Sequence, residues 1–237
     1  MAPLDLSDIA TKAVSATVEV FTERGVGSGF IVQPAGLVVT AQHVVEHDGQ
    51  VQRHVKVRLN AGTINDVVLD GTVFRAHRQL DFALLWLEEG GPFPWLPLGT
   101  PKSLRFAQTV LAIGCPSGLS NTVSAGIVSN PAQRYRQIEC IQTNADIDHG
   151  NSGGPLIAEG GVVGINVWGL GNISAAKFAI PIDYLTEDLH TAAQLGRTAC
   201  LQATFCPACG HNDQHGGLWF CRNCGFQFPS EEPANDA

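Results

Sequence analysis

The sequence predicts an all-β protein followed by a small cysteine-stapled module. Three observations carry this. First, 26 Gly and 13 Pro in 237 residues fall between short apolar runs, a punctuation that favours strands and turns over long helices. Second, no amphipathic helices alternate with those runs, which disfavours a parallel α/β sheet. Third, two C-x-x-C pairs sit close together near the C-terminus. The length suits one large β domain and a small unit, which we place at residues 1–200 and 201–237. Hydrophobic residues make up 44%, enough for a sizeable core.

Taken in order, residues 4–16 read as a short helix. Strands are then expected in TVEVF, GSGFIV, LVVTA, VQRHVKVRL, DVVLDGTVF and FALLWL, and after them in TVLAIG, NTVSAGIVS, IECIQT, PLIA, GVVGINVWG and AKFAIPI. Many short strands at close spacing point to a barrel or sandwich. PIDYLTEDLHTAAQLG reads as a helix capped by Asp183 or Thr186 and ended by Gly196. The tail SEEPANDA reads as a solvated end.

Charge narrows the partners. Lys+Arg 14 against Asp+Glu 22 gives a net charge of −8, which disfavours nucleic acid, since a phosphate backbone needs a cationic face. The first 21 residues have acidic groups where a signal peptide needs a basic start, and no run of about 20 apolar residues exists, so neither export nor a membrane span is expected. Seven cysteines, four of them in C-x-x-C pairs, fit a reducing, cytoplasmic setting. Cys115, Cys140 and Cys200 read as buried small hydrophobes.

GNSGGPL, residues 150–156, is the strongest motif. A serine nucleophile needs an exposed hydroxyl on a tight turn, which glycines permit. Backbone N–H groups around it can converge on the oxyanion of a tetrahedral intermediate. Ser152 is the candidate nucleophile, with the N–H groups of Gly150 and Ser152 as donors and that of Asn151 beside them. His43, after LVVTA, is the candidate base. Asp81, before FALLWL, is the candidate orienting acid, and Asp66 and Asp70 are weaker alternatives. A competing reading comes from HVVEH, which fits a zinc-protease H-x-x-E-H with His43 and His47 as ligands and Glu46 as base. That motif needs a regular helix, whereas a strand-like run precedes it and an HDG turn follows.

GVGSGFIVQPAGLVVTAQHVV, LDFALLWL, TVLAIGCPSG, TVSAGIVS, QTNADIDHGNSGGPL, VVGIN and KFAIPID together resemble the successive motifs of the HtrA/Deg serine proteases, over residues 15–190 and in order. The resemblance implies a chymotrypsin-like double β-barrel with its site between the barrels. It also implies ATP-independent endopeptidase activity, with His43, Asp81 and Ser152 as the triad and unfolded or damaged protein as substrate. His149 stands where the family often has proline or arginine. Asp146, six residues before the serine, is a candidate base of the primary pocket, with a solvated loop aspartate as the plainer reading. Ile165, Asn166 and Val167 are expected to flank a bound peptide that docks as an added strand. The alternative function is an inactive protease-like scaffold that holds peptides and recruits partners.

Cys206, Cys209, Cys221 and Cys224 complete the reading. Each C-x-x-C places two thiolates on one knuckle, and two knuckles make a tetrahedral four-thiolate site. Eleven residues separate Cys209 from Cys221, and the module resembles a short zinc ribbon. Zinc there would be structural, with no cofactor needed for catalysis. A redox dithiol pair, or His211 or His215 replacing a cysteine, are the competing readings. Residues 204–237 hold one Arg, no Lys and four acidic residues, so protein contact or self-association is the expected use, through Trp219, Phe220 or Phe226. HtrA/Deg chains usually continue into a PDZ domain, and here the ribbon follows the protease unit.

Overall fold

The computed structural model describes residues 6–23, 25–115, 121–135, 137–147, 150–169, 176–213 and 220–228. Helix α1, Leu6–Ala16, leads into β1, Thr17–Phe21, then β2, Val26–Gln33, and β3, Leu37–Thr40. A 3-10 turn, Gln42–Val44, precedes a small hairpin of β4, Glu46–His47, and β5, Gln50–Val51. Strands β6, His54–Leu59, β7, Val67–His77, and β8, Phe82–Leu87, complete the first half. The second half has β9, Thr109–Gly114, β10, Thr122–Tyr135, β11, Ile138–Thr143, β12, Pro155–Ala158, β13, Gly161–Gly169, and β14, Lys177–Pro181.

Two closed antiparallel barrels result, in strand orders β1-β2-β3-β8-β7-β6 and β10-β11-β14-β13-β12-β9. Closure leaves no sheet edge to be covered. All six residues of β8 are buried, where a barrel strand wetted on its outer face would alternate. The outer face is covered by the C-terminal helix α2, Thr186–Gln202. From that helix the Arg197 guanidinium lies 5.9 Å over the Trp86 ring and donates to the carbonyl of Glu88.

Two local expectations are corrected. VQRHVKVRL is two strands, because Gln52 N–H turns back to the Val45 carbonyl and Arg53 O accepts from Val73 N–H. The residue at the helix start is Leu185, with no side-chain capping bond from Asp183 or Thr186, while Gly196, at φ 73° and outside helical geometry, ends the first of two helical stretches as expected. Beyond α2 come β15, Thr204–Phe205, and β16, Asn212–Asp213, paired as a short ladder. Phe205 is buried in the same apolar cluster as Phe74, Trp86, Leu189 and Cys200, so the C-terminal unit is folded onto the first barrel. Among the described residues no helix is long and apolar enough to cross a membrane.

Candidate active site and cysteine cluster

His43 lies in the 3-10 turn that follows β3, and Asp81 in the turn before β8. Both belong to the first barrel. His43 Nδ1 lies 2.8 Å and 3.0 Å from the two oxygens of Asp81, and the His43 backbone N–H also donates to Asp81 Oδ1 at 3.0 Å. Three contacts from one residue fix the ring and leave its other nitrogen, Nε2, facing away from the aspartate. Asp81 holds a left-handed backbone, φ 48°, a strained conformation that persists where the surroundings over-determine it. Here Leu80 N–H donates to His77 Nδ1 at 3.2 Å and His77 pairs with Phe82, so the turn is held from both ends. Burial by itself lowers the His43 pKa. The hydrogen bond and charge of Asp81, with the charge of Glu46, outweigh it and hold the pKa above the ordinary imidazole value.

Ser152 sits in the turn between β11 and β12 of the second barrel. The glycines around it are explained by close approach. A Cβ on Gly153, whose φ is 88°, would lie 2.1 Å from the carbonyl of Ser28 and 2.9 Å from the amide of Ala41, two residues before His43. A Cβ on Gly154 would lie 2.1 Å from the Ile113 carbonyl. The motif therefore presses the serine turn against the histidine segment. Gly150 has φ 102°, a region that favours glycine. Among the described residues the amides of Gly150 and Ser152 have no hydrogen-bond acceptor, as oxyanion donors require. The Ser152 hydroxyl donates to the Val167 carbonyl at 3.1 Å and not to His43.

Sequence reasoning missed Ser28. Its buried hydroxyl accepts from Cys115 N–H at 2.8 Å and donates to the Gly150 carbonyl at 2.5 Å, while its own amide donates to the Ser152 carbonyl at 2.7 Å. One residue of β2 thus ties the serine turn and the end of β9 to the first barrel. Fixing the Gly150 carbonyl toward Ser28 points the Asn151 N–H the opposite way, because a trans peptide sets the two antiparallel. No local pattern marks a contact that spans 122 residues.

The pocket candidates separate. Asp146 is 70% exposed, with the Lys177 ammonium 3.8 Å from its carboxylate. Lys177 is itself buried and donates to the Ile147 carbonyl at 2.8 Å. Among the described residues, Asp146 meets the serine turn through its backbone carbonyl, which accepts from Asn151 Nδ2 at 3.3 Å. Ile165 and Asn166 are wholly buried. Both neighbours of β13 are in place at Ile165, which pairs with Pro155 and Ile180, and Asn166 exchanges backbone bonds with Gly153 and Gly154. Ile165 and Asn166 are therefore closed to a peptide; Val167 is 3% exposed, and its carbonyl accepts the Ser152 hydroxyl. His149 lies outside the described residues.

The H-x-x-E-H reading is overturned, since His43 is in a 3-10 turn while Glu46 and His47 are in a strand. His47 pairs with Asp48 at 2.8 Å, and Glu46 accepts from Gln42 and from Arg78. Asp66 and Asp70 pair with Arg58 and Lys56 instead of with His43.

Cys206, Cys209, Cys221 and Cys224 bring their sulfurs within 4.8 Å of one another, a set that could hold a metal ion. The two knuckles are built alike. Gly210 N–H donates to the Cys206 carbonyl and Gly225 N–H to the Cys221 carbonyl, both at 2.8 Å, with φ of 72° and 77° at the two glycines. His211 faces Arg75, 3.4 Å away, and is not part of the sulfur cluster. Phe220 and Phe226 are half-buried, and Phe226 meets Phe228 edge-on at 5.8 Å. Trp219 and His215 lie outside the described residues.

The comparisons with known proteins agree with this geometry. Residues 27–165 match the trypsin-like peptidase domain. The chain is 38% identical over 205 residues to serine protease HTRA2, mitochondrial, of Bos taurus, covering 78% of this chain and 42% of that protein. It is 40% identical over 182 residues to serine protease HTRA4 of Mus musculus, covering 72% and 36%. It is 39% identical over 184 residues to serine protease HTRA1B of Danio rerio, covering 73% and 37%. The chain thus spans less than half the length of these relatives. With its two closed barrels and a His–Asp pair facing a serine turn across their seam, the chain belongs to the trypsin-like peptidase family and is similar within it to the HtrA serine proteases.

Proposed function

We propose that the protein is a serine endopeptidase acting on peptide bonds of unfolded or damaged protein. The observation that carries this is the three-contact hold of Asp81 on His43 beside a glycine-walled serine turn. His43 Nε2 takes the Ser152 proton as the hydroxyl attacks the scissile carbonyl. Asp81 stabilises the imidazolium, and the amides of Gly150 and Ser152 hold the oxyanion. His43 then protonates the leaving amine, and water hydrolyses the acyl-enzyme. The bound peptide runs along Val167–Gly169. Lys177, already beside Asp146, disfavours a basic residue before the scissile bond, and the HtrA/Deg resemblance supports small aliphatic side chains there. Labelling with a fluorophosphonate tests the reading: wild type reacts and Ser152→Ala does not. Equal labelling of both would sink it.

One observation favours the second reading, a non-cleaving scaffold. The Ser152 hydroxyl is bonded to the Val167 carbonyl and not to His43. A side-chain rotation separates the two states, and such contacts commonly tighten only with substrate bound, so the first reading is preferred.

We further propose that the cysteine cluster holds structural zinc. Zinc–sulfur bonds of about 2.3 Å in a tetrahedron imply sulfur–sulfur edges of about 3.8 Å. The pairs Cys206–Cys224 and Cys209–Cys221 are both at 3.7 Å. Four ligands close the site to substrate, so the ion supplies folding energy and no chemistry. Thiolate ligands must stay reduced, which supports a cytoplasmic setting and argues against a redox pair. The ribbon, which follows the protease unit directly, acts as a regulatory or docking module. Deletion of 204–237 that changes neither substrate choice, assembly nor activity would refute this.

A further inference from the structure

The knuckle 206–210 touches the first barrel at two points, and both are informative. The Pro207 carbonyl accepts from Val51 N–H at 2.7 Å, and the Gly210 carbonyl accepts from Ala76 N–H at 2.8 Å. Val51 is in β5, the second strand of the hairpin that follows His43. It pairs with Glu46, whose carboxylate receives the side chain of Gln42, the residue before His43. Arg78 closes the same hairpin by donating to Glu46 and to the Gly49 carbonyl. Ala76 is in β7, paired with Ala83, and is followed by His77, the residue that receives Leu80 N–H in the Asp81 turn. The knuckle therefore grips the segment behind the histidine and the strand before the aspartate.

The grip is close. A Cβ on Gly210 would lie 2.3 Å from the Ala76 Cβ, so only glycine lets the two backbones meet at this distance. The knuckle cannot hold that shape by burial. From residue 203 on, only Phe205, Cys206, Gly210 and Cys221 are buried among the described residues, too little apolar surface to fix a fold of this size. Its shape comes from closing the four sulfurs on an ion.

We infer that this knuckle is a positioning element for the active site: the ion held by the four cysteines fixes the Pro207 and Gly210 carbonyls, and these keep His43 and Asp81 in register. Two backbone bonds thus transmit the state of the thiolates to the catalytic pair. The inference rests on the endopeptidase reading for its effect on rate, but not for its structural effect.

The test uses the full chain loaded with one equivalent of zinc, then chelated under reductant, then reloaded. Amide exchange reads the grip. Val51 and Ala76 should exchange about tenfold faster or more after chelation and recover on reloading, while Ile113 and Ile165 in the second barrel stay protected. An NMR titration of the His43 imidazole reads the pair without needing the serine. Its midpoint should fall toward the ordinary value of about 6.5 as Asp81 drifts away, Glu46 being the other charge that faces it. Fluorophosphonate labelling should slow by about tenfold. Unchanged exchange at Val51 and Ala76, or an unchanged His43 midpoint, would overturn the inference. Exchange that rises through both barrels alike would also overturn it, because the ribbon would then be a general staple. Absence of labelling in every state would instead sink the endopeptidase reading, with exchange and titration still deciding this one.

Discussion

His43 is subject to opposed forces, burial that favours its neutral form and two carboxylates that favour its cation, and the carboxylates prevail. As a base it works only when neutral. Activity should therefore rise with pH through a midpoint above about 6.5, the ordinary imidazole value. Asp81→Asn removes the largest raising influence, so the midpoint should fall, while the labelling rate drops roughly a thousandfold or more because the ring loses its orientation. A pH series of fluorophosphonate labelling on both proteins checks this. Ser28→Ala leaves the Cys115 amide and the Gly150 carbonyl without a buried partner. It should lose about 1–3 kcal/mol in a denaturant melt and lower kcat on a peptide substrate about tenfold with little change in KM. The His43–Asp81 pairing could be read from the sequence because each residue sits next to a strand with a strong apolar pattern. Ser28 could not be, because its role exists only once two distant turns meet it. Asp146 was open to misreading for the opposite reason: its position in the motif is informative, but the ion beside it, Lys177, comes from another strand.

At the scale of the elements, the serine turn between β11 and β12 is pressed against the first barrel, its Ser152 carbonyl accepting from Ser28 N–H at 2.7 Å. Gly153 and Gly160 both hold positive φ, 88° and 96°, but a Cβ on Gly160 meets nothing within 4 Å. Gly160→Ala should therefore lose only about 1 kcal/mol from backbone strain. Gly153→Ala should lose more than about 3 kcal/mol, since the turn must also retreat from Ser28, and it should lose labelling altogether. A pair of denaturant melts separates strain from clash. The strands themselves were legible, because Gly, Pro, Asn and Asp mark their ends and β-branched residues fill them. The β4–β5 hairpin was not. Two-residue strands carry no period, and the residues HVVEHDG in and around it suit a helix motif as well as a turn. The break at Gln52 went unread for a related reason, since it depends on what packs against it, whereas the helix break at Gly196 was announced by the residue type itself.

For the whole molecule, two barrels, the helical segments α1 and α2 and the cysteine-rich C-terminal unit pack together, with Arg197 joining α2 and Phe205 joining the C-terminal unit to the first barrel. An ion bound only by the folded state stabilises it by mass action. We expect one zinc per chain by elemental analysis and a lower Tm after chelation, each kcal/mol lost moving it by about 2–4 °C for a chain of this size. Cys206→Ser should abolish the stoichiometric zinc and reproduce the shift. The cysteine cluster was visible in the two C-x-x-C pairs beyond residue 204. Its docking on the barrel was not, because the contacts, backbone bonds at Val51 and Ala76 with Phe205 in the barrel cluster and His211 against Arg75, join residues far apart in sequence.

The Val167 carbonyl serves two claimants. In this structure it receives the Ser152 hydroxyl, yet it is also an acceptor that an extended ligand lying along β13 would seek for its own amide. A polypeptide that takes this acceptor frees the hydroxyl to turn toward His43, whereas a small electrophile has no amide to offer. The chain would then discriminate polymers from monomers at the first encounter, before any side chain is read. Peptidyl phosphonates should inactivate it faster than a simple fluorophosphonate of equal intrinsic reactivity, and equal second-order rates would show that the hydroxyl is not masked.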